Sequence, residues 1–560
     1  MTPEEIERLL GDPYDETSPY GFAAAVARDE QDSFPEELCA RLRESGFHLN
    51  YLPQDWGGRF ESFDRGLLLV RTAARRDLNI MPGTMFGITA ATCLALHGSA
   101  AQRKYAAEVL ARGGAIGFAL SEADHGSDLL ANSAHLEPAG DGWELTGEKW
   151  MVGLGRRCEA VYLVARTGER GPGAFSAVLL DLGEEGGLDR GAAVPASGMR
   201  GIDFAHLRFD RFPVPAEALV GHAGQALESV MKAQQAVRVM SMAGSLGCAD
   251  TALRLTLDFA AGRRVGRTTV LESPYSRREL ALASAALLAA DATALAAARG
   301  IHAAPEVFSV WGCAAKHVVA ESAEEVIRRC GSVLATRSVL RTEGPGGGLF
   351  QKLQRDAAVV RVVDTSTLAN LRSYSAQLAS VSQAVSAPVA PEDLDLVGTV
   401  FDLRAALPPY APERLDLNAR GRDPVTGTLA VVAPEVLARL TARAEHGTAR
   451  LVARLVAALT ALAAEVAATG RGTGLVDLAE RFAWLHAATC CLLLWWANPG
   501  LPRFSSAWLG ACLAHLLSRA EGTDPRREAA AQLPAVGITA DLHARNRLFS
   551  AVPVRLAPDL

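Results

Sequence analysis

The sequence holds nine cysteines in 560 residues, with no Cys-x-x-Cys pair and no even framework. That excludes a disulfide scaffold and points to reduced thiols of a cytoplasmic protein. Cys490-Cys491 has no His or Cys at ligand spacing, so no metal site is expected. Positive charge is also scarce: 56 Lys and Arg against 63 Asp and Glu give −7, which excludes nucleic-acid binding through bulk positive charge. The N-terminal MTPEEIERLLGDP has no apolar core, so no secretory signal is expected. The longest uncharged apolar run, Ala487 to Ala497, is short of the ~20 residues that span a bilayer, so no membrane span is expected. There is no clear internal repeat.

What is present suits a large folded protein. Apolar residues are 49% and charged residues 21%, which rules out global disorder, and 560 residues suggest three or four compact units. The 51 glycines and the Ala, Arg and Leu bias fit a GC-rich genome as well as any structural demand.

Residues 1–114 read as helical. Ser33-Phe34-Pro35-Glu36 has the composition of a helix start with Ser33 as N-cap, and Gly46 stops the segment. Leu52 to Gly58 is a breaker-rich loop. From 115 to 223, short runs such as Val161–Ala165 and Phe175–Leu180 predict an antiparallel β unit ending near Pro215. Residues 224–383 return to long helices, including an Ala- and Leu-rich stretch from Ala281 to Ala298, with a glycine-rich break at Gly344–Gly348. A proline-marked linker spans 384–415. A further helical region spans 416–560, where Leu451, Leu455, Leu459, Leu462 and Val466 form one apolar stripe. The expected fold is mostly α with a central β domain (α+β). Leu492–Trp496 predicts a buried helix of the added bundle; a membrane-surface or carrier-docking patch is the alternative.

The segment Phe118 to Asp128 (FALSEADHGSD) runs from an apolar strand into a polar turn containing glycine. The hydroxyls of Ser121 and Ser127 and the free backbone N–H groups can hold a polar ring edge or a thioester arm. An ordinary strand-end turn with serine caps explains the same residues.

This segment resembles the signature of the acyl-CoA dehydrogenase family. Its neighbours resemble further family motifs in the right order: Leu52 to Gly58, Leu145-Thr146-Gly147-Glu148-Lys149-Trp150, Val161 to Thr167, Phe209 with Val214-Pro215, and Lys352-Leu353 with Arg355-Asp356-Ala357. The likeness covers about residues 20–380. It implies a helical–β–helical core, FAD, and introduction of a 2,3-double bond into a fatty-acyl thioester of CoA or acyl-carrier protein. In that chemistry a carboxylate removes the α-proton, the β-hydrogen leaves as hydride, and hydrogen bonds stabilise the enolate-like charge.

Carried over residue by residue, the likeness implies Asp364 as the catalytic base where the family usually has Glu. Asp is shorter by roughly 1.3 to 1.5 Å of reach, and about 1 Å of misplacement can cost a hundredfold. An N-cap role for the helix beginning near Leu368 is the alternative for Asp364. Val237 stands where other members carry the base, and it cannot serve. The implied cofactor contacts are Phe118, Leu120, Ser121, Ser127, Trp150, Val152, Arg263, Arg264, Gly331 and Ser366. The implied substrate contacts are Ser127, Gln235, Arg238, Asp364 and Thr365. Val152 replaces a Thr or Ser near the flavin N5, removing a donor. The adenine-side motif is eroded to Ile327-Arg328-Arg329-Cys330-Gly331. His125 resembles a turn histidine of acyl-CoA oxidases and of some dehydrogenases.

Extended members of the family also carry an added C-terminal helical region, which implies a homodimer. Electrons would pass to an electron-transfer flavoprotein or to O2. The alternatives are an acyl-CoA oxidase, a flavin monooxygenase on the same fold, and a non-catalytic carrier-binding homologue.

Overall fold

The computed structural model describes residues 1–558 apart from 184–186, 344, 364, 471 and 473. By internal packing the chain forms two compact units. One comprises Ala27–Glu61 and Asp77–Val237 with Met1, and the other comprises Thr2–Val26, Ser62–Arg76 and Arg238–Leu560.

The first unit combines short helices with an eight-stranded sheet. Its helices include Glu36–Glu44, Ile88–His97 and Ala100–Ala111. Its strands are β1 (Ile116–Ala119), β2 (His135–Ala139), β3 (Gly142–Gly153), β4 (Ala160–Arg166), β5 (Phe175–Asp181), β6 (Leu188–Asp189), β7 (Phe204–Val214) and β8 (Leu219–Val220). The strand order is β6-β7-β3-β2-β4-β5-β8, and β1 pairs with β4. Most pairs are antiparallel, but β1 runs parallel to β4, with Phe118 opposite Tyr162. A parallel partner leaves the end of β1 as a free polar turn rather than a hairpin. The sheet buries Leu145, Val161, Leu163, Val178, Leu180, Leu207 and Phe209 on its apolar face.

The second unit is helical. The Pro274–Ala303 helix is buried from Leu280 to His302, and it packs against the Phe308–Leu334 and Ala529–Ala544 helices. Its composition follows: small and apolar residues all round suit an interior helix. The added region contributes helices Leu429–Ala442, His446–Thr469, Leu475–Ala497, Ser506–Ala520 and Ala529–Ala544. The predicted stripe Leu451, Leu455, Leu459, Leu462 and Val466 is buried on the His446–Thr469 helix. Leu492, Leu493 and Leu494 are fully buried, as the buried-helix alternative requires.

Four expectations need correction. Ser33 does not cap the first predicted helix: the helix begins at Glu36, Pro35 occupies the cap position, and the Ser33 hydroxyl donates to the Arg28 carbonyl instead. The stretch 384–415 is not linker throughout, because Pro391 starts a helix to Phe401 whose Val397, Val400 and Phe401 are buried. The cap of the Thr367–Val381 helix is the Ser366 hydroxyl, accepting from the Ala369 N–H at 3.3 Å, so Asp364 is not needed for it. Finally, three stretches, Ile80–His97, Pro274–Ala303 and His446–Thr469, are long and apolar enough to cross a membrane by length and composition. A search for uncharged apolar runs misses Pro274–Ala303, which Asp291 and Arg299 interrupt, and Ile80–His97, which Thr84, Thr89 and Thr92 interrupt.

Candidate functional site

The end of β1 and the C-terminal half of β3 meet at one end of the sheet. Between Lys149 and Val152, β3 advances three residues while β7 advances two, from Leu207 to Ala205. This is a β-bulge, and it holds Trp150 and Met151. Met151 sits at φ 56°, a left-handed conformation rare for a side chain of its kind. The bulge takes Trp150 out of the β7 ladder. Its N–H instead donates to the Ser121 carbonyl at 2.9 Å, and 37% of the residue's surface is exposed. Backbone irregularity of this sort is enriched at functional sites. Two residues singled out from different motifs are thus joined by one hydrogen bond.

A buried ion pair fixes this junction. The Lys149 ammonium donates to Glu122 Oε1 at 2.8 Å and to the Leu120 carbonyl at 3.1 Å. Glu122 also accepts from the Ser133 N–H at 2.7 Å, the Ser133 hydroxyl at 2.9 Å and the Ala134 N–H at 3.0 Å. Asn132 donates to the same Leu120 carbonyl at 2.8 Å. Burial works against the Glu122 charge, but the Lys149 ammonium and these donors outweigh it and hold the carboxyl below the usual carboxylate range. Glu122 and Lys149 are the residues fixing this junction that the sequence reading did not single out. Both lie inside the quoted motifs, and the signal was a charged residue fixed beside each predicted cofactor contact.

Other predicted contacts divide by position. Phe118 stacks on Tyr162 with ring centroids 5.9 Å apart. Leu120 and Ser121 are half-buried, and Ser127 is exposed. The hydroxyls of Ser121 and Ser127 have no protein partner among the described residues. Gln235 is 1% exposed. Val152 is 1% exposed and belongs to the apolar core of the sheet. A threonine there would bury an oxygen.

In the second unit, Arg263 and Arg264 lie exposed at the start of a small hairpin, Arg264–Val265 with Thr268–Thr269. The Arg264 guanidinium donates to the Arg267 carbonyl at 2.8 Å, and the Arg263 guanidinium has no protein partner among the described residues. Gly331 lines a cavity of about 540 Å³ with Ser332, Ser338, Gln354, Arg328 and Arg519, the last supplied by the added region. Lys352 and Asp356 form a buried ion pair of 2.5 Å inside the Leu349–Val362 helix. Asp364, the predicted base, lies outside the described residues. The residue after it, Thr365, sits at φ 87°, an outlier for a β-branched side chain. Its carbonyl accepts from Asn370 at 3.0 Å, and Ser366 then caps the helix. Arg238 is buried. Among the described residues no cluster of His, Cys, Asp and Glu could hold a metal ion.

Helices, then a sheet with a bulged aromatic strand, then a helical bundle place the chain in a three-part class of helical–β–helical proteins. It matches the acyl-CoA dehydrogenase N-terminal domain over residues 21–114, the middle domain over 117–212 and the C-terminal domain over 224–367. The chain belongs to the acyl-CoA dehydrogenase family, whose members are FAD flavoproteins. It is 30% identical over 261 residues to 3-sulfinopropanoyl-CoA desulfinase of Advenella mimigardefordensis, covering 45% of this chain and 64% of that protein. It is 26% identical over 248 residues to glutaryl-CoA dehydrogenase of Desulfococcus multivorans, covering 42% and 62%. The fold matches butyryl-CoA dehydrogenase of Megasphaera elsdenii with a TM-score of 0.62 at 20% identity, over 67% of this chain and 97% of that one. The chain spans 61% to 64% of the length of the curated relatives it matches. The residues present fit the family's cofactor: an exposed indole beside a hydroxyl not engaged elsewhere, and an exposed guanidinium for a diphosphate.

Proposed function

We propose that the protein is an FAD-dependent dehydrogenase that introduces a 2,3-double bond into an acyl thioester. The observation that carries this reading is the bulged Trp150 bonded to the Ser121 carbonyl, with a buried Lys149–Glu122 pair locking the turn. That arrangement presents an aromatic face and a hydroxyl on a rigid edge. Ser121 and Trp150 are assigned to the isoalloxazine end of FAD, and Arg263 with Arg264 to its diphosphate. When bound, FAD supplies the two-electron acceptor for the β-hydride.

The other roles fall to this chain's own side chains. Asp364 takes the α-proton. The strained Thr365 and the Ser366 cap set where the chain leaves the Leu349–Val362 helix and enters the next one. Ser127, Gln235 and Arg238 are assigned to the substrate. CoA or acyl-carrier-protein thioesters are the substrates, a homodimer is the assembly, and an electron-transfer flavoprotein or O2 is the acceptor.

The test is Asp364→Asn. The variant should purify yellow and lose flavin bleaching by acyl-CoA under anaerobic conditions; full bleaching would refute the assignment. Admitting oxygen to reduced wild type and measuring peroxide separates dehydrogenase from oxidase.

A further inference from the structure

Among the described residues eleven carboxylates are buried, and ten of them meet an Arg, Lys or His nitrogen at 3.9 Å or less. The eleventh is Asp203, in the first unit. It is 8% exposed, and its Oδ2 accepts from the Arg156 N–H at 2.9 Å. Its Oδ1 is buried with no hydrogen-bond partner among the described residues. Glu325 also carries such an oxygen, but Arg519 faces it at 3.4 Å. Burial pushes the Asp203 carboxyl up, against the pull of the Arg156 N–H and of the Arg156, Arg157 and Arg190 guanidinium groups.

Asp203 lines a cavity of about 730 Å³ together with those three arginines, Phe34 and Arg200. Its walls are held in place before any ligand arrives. The Arg190 guanidinium donates to the carbonyls of Gly155 at 3.3 Å, Cys158 at 2.9 Å and Leu182 at 2.7 Å. Arg157 lies 4.4 Å over the Phe34 ring, and Arg200 grips Asp32 at 2.6 and 3.2 Å. Gly201 turns the loop at φ 87°, where a side chain would meet the Ser33 carbonyl oxygen at 2.2 Å.

The chemistry of the lining selects its ligand. An ionised carboxylate oxygen only accepts, so Asp203 Oδ1 requires a donor. Guanidinium groups require anionic oxygen. The arginines repel an ammonium donor, and the carboxylate repels an anion that carries no proton, such as sulfate. A phosphate group that keeps one proton meets both demands. A monoester, with its second pKa at about 6, holds that proton at small cost near neutral pH.

We propose that this cavity is a phosphate site, for inorganic phosphate or a phosphate monoester, in which Asp203 Oδ1 accepts the phosphate proton and the arginines bind the ionised oxygens. Neither Ser121 nor Trp150 lines it, so it stands apart from the flavin reading.

Calorimetric titration of the holoenzyme with inorganic phosphate and with sulfate at pH 7 tests the site. Wild type should bind phosphate at least about 30-fold more tightly, because sulfate sets a like charge against the carboxylate. Asp203→Asn keeps an acceptor for the Arg156 N–H and adds a donor, so sulfate should gain and the ratio should fall toward one. Arg156→Gln, at an exposed position, should weaken phosphate by about tenfold, the scale of one charge-assisted hydrogen bond. Absence of phosphate binding, equal binding of the two anions by wild type, an unchanged ratio in Asp203→Asn, or unchanged phosphate affinity in Arg156→Gln each overturns the proposal. Ribose 5-phosphate then separates the sources. Tighter binding than inorganic phosphate supports a monoester as the ligand, and weaker binding supports the free ion.

Discussion

The two compact units use buried charge for different ends. In the first, the Lys149–Glu122 pair fixes a turn of a dozen or so residues, and its surplus hydrogen bonds go to the backbone of that turn and to the Ser133 hydroxyl. In the second, Asp250 collects Arg71, Arg75 and Arg254, while Asp291 and Glu7 extend the network. The network also reads the returning C-terminal segment by its backbone. Asp250 accepts from the Phe549 N–H at 2.9 Å, Asp291 from the Ala551 N–H at 2.7 Å and Glu7 from the Ala557 N–H at 3.0 Å. The guanidinium of Arg71 takes the Phe549 carbonyl. One arrangement aims two side chains at a site; the other ties the first ten residues and the last dozen to the bundle. An isolated pair gives local placement, and a network gives closure of the chain on itself.

The comparison is broken most severely by deleting residues 546–560. The segment buries Leu548, Phe549, Val554 and Leu556 at 3% exposure or less. At about 1.5 to 3 kcal/mol for each fully buried side chain, the loss exceeds about 6 kcal/mol, a large part of a typical stability. The truncated protein should unfold at far lower urea or be recovered only as aggregate. A midpoint close to wild type would mean that the segment is a passenger.

Lys149→Met comes next. It leaves Glu122 buried at 3% exposure with its counter-ion gone, which costs about 3 to 5 kcal/mol. Because the pair holds the turn that carries Ser121, FAD affinity should fall together with stability. Urea titration and fluorescence titration with FAD check the two effects separately. A stability loss with unchanged FAD affinity would detach the pair from the site.

The third effect is a pH dependence to which His515 of the second unit contributes most. His515 is fully buried with neither ring nitrogen hydrogen-bonded, and burial lowers its pKa from 6.5 to about 4, with Glu325 opposing and Arg519 and Arg329 adding. Between those two values the unfolded chain binds the proton and the folded one does not. Stability is therefore full above pH 6.5 and falls as pH drops through the window, by up to about 3 kcal/mol. Urea midpoints measured from pH 7 to 4 should decline in wild type and decline less steeply in His515→Leu. Equal slopes would remove His515 as the cause.

These effects mark what was legible in the sequence. Order and class were, because they rest on composition shifts and short motifs. The bulge at Trp150 was not: a period-two pattern carries no mark of one extra residue unless the partner strand is known. Ser33 failed as a cap because the helix starts only at Glu36, with Pro35 at the cap position two residues on, and the Ser33 hydroxyl turns back to the Arg28 carbonyl. The 384–415 stretch misled because Pro391 reads as a breaker, yet proline is well suited to a first helical turn.

The smallest expected effect sharpens the comparison at the site itself. Ser366 was predicted as a cofactor contact, but its hydroxyl accepts from the Ala369 N–H at 3.3 Å as the cap of the Thr367–Val381 helix. A cap of this sort contributes about 1 kcal/mol, and glycine loses less than alanine, since its exposed backbone lets water reach the orphan N–H groups. Ser366→Ala should therefore lower stability by about 1 kcal/mol, and Ser366→Gly by only a few tenths. A cofactor contact would give the opposite pattern: both variants lose the same hydroxyl, so both weaken FAD binding alike. Measuring urea midpoints and FAD affinity for the two variants separates the roles. Graded stability with constant affinity assigns Ser366 to the helix, and the place where the chain turns at Thr365 is then set by the fold before any ligand arrives.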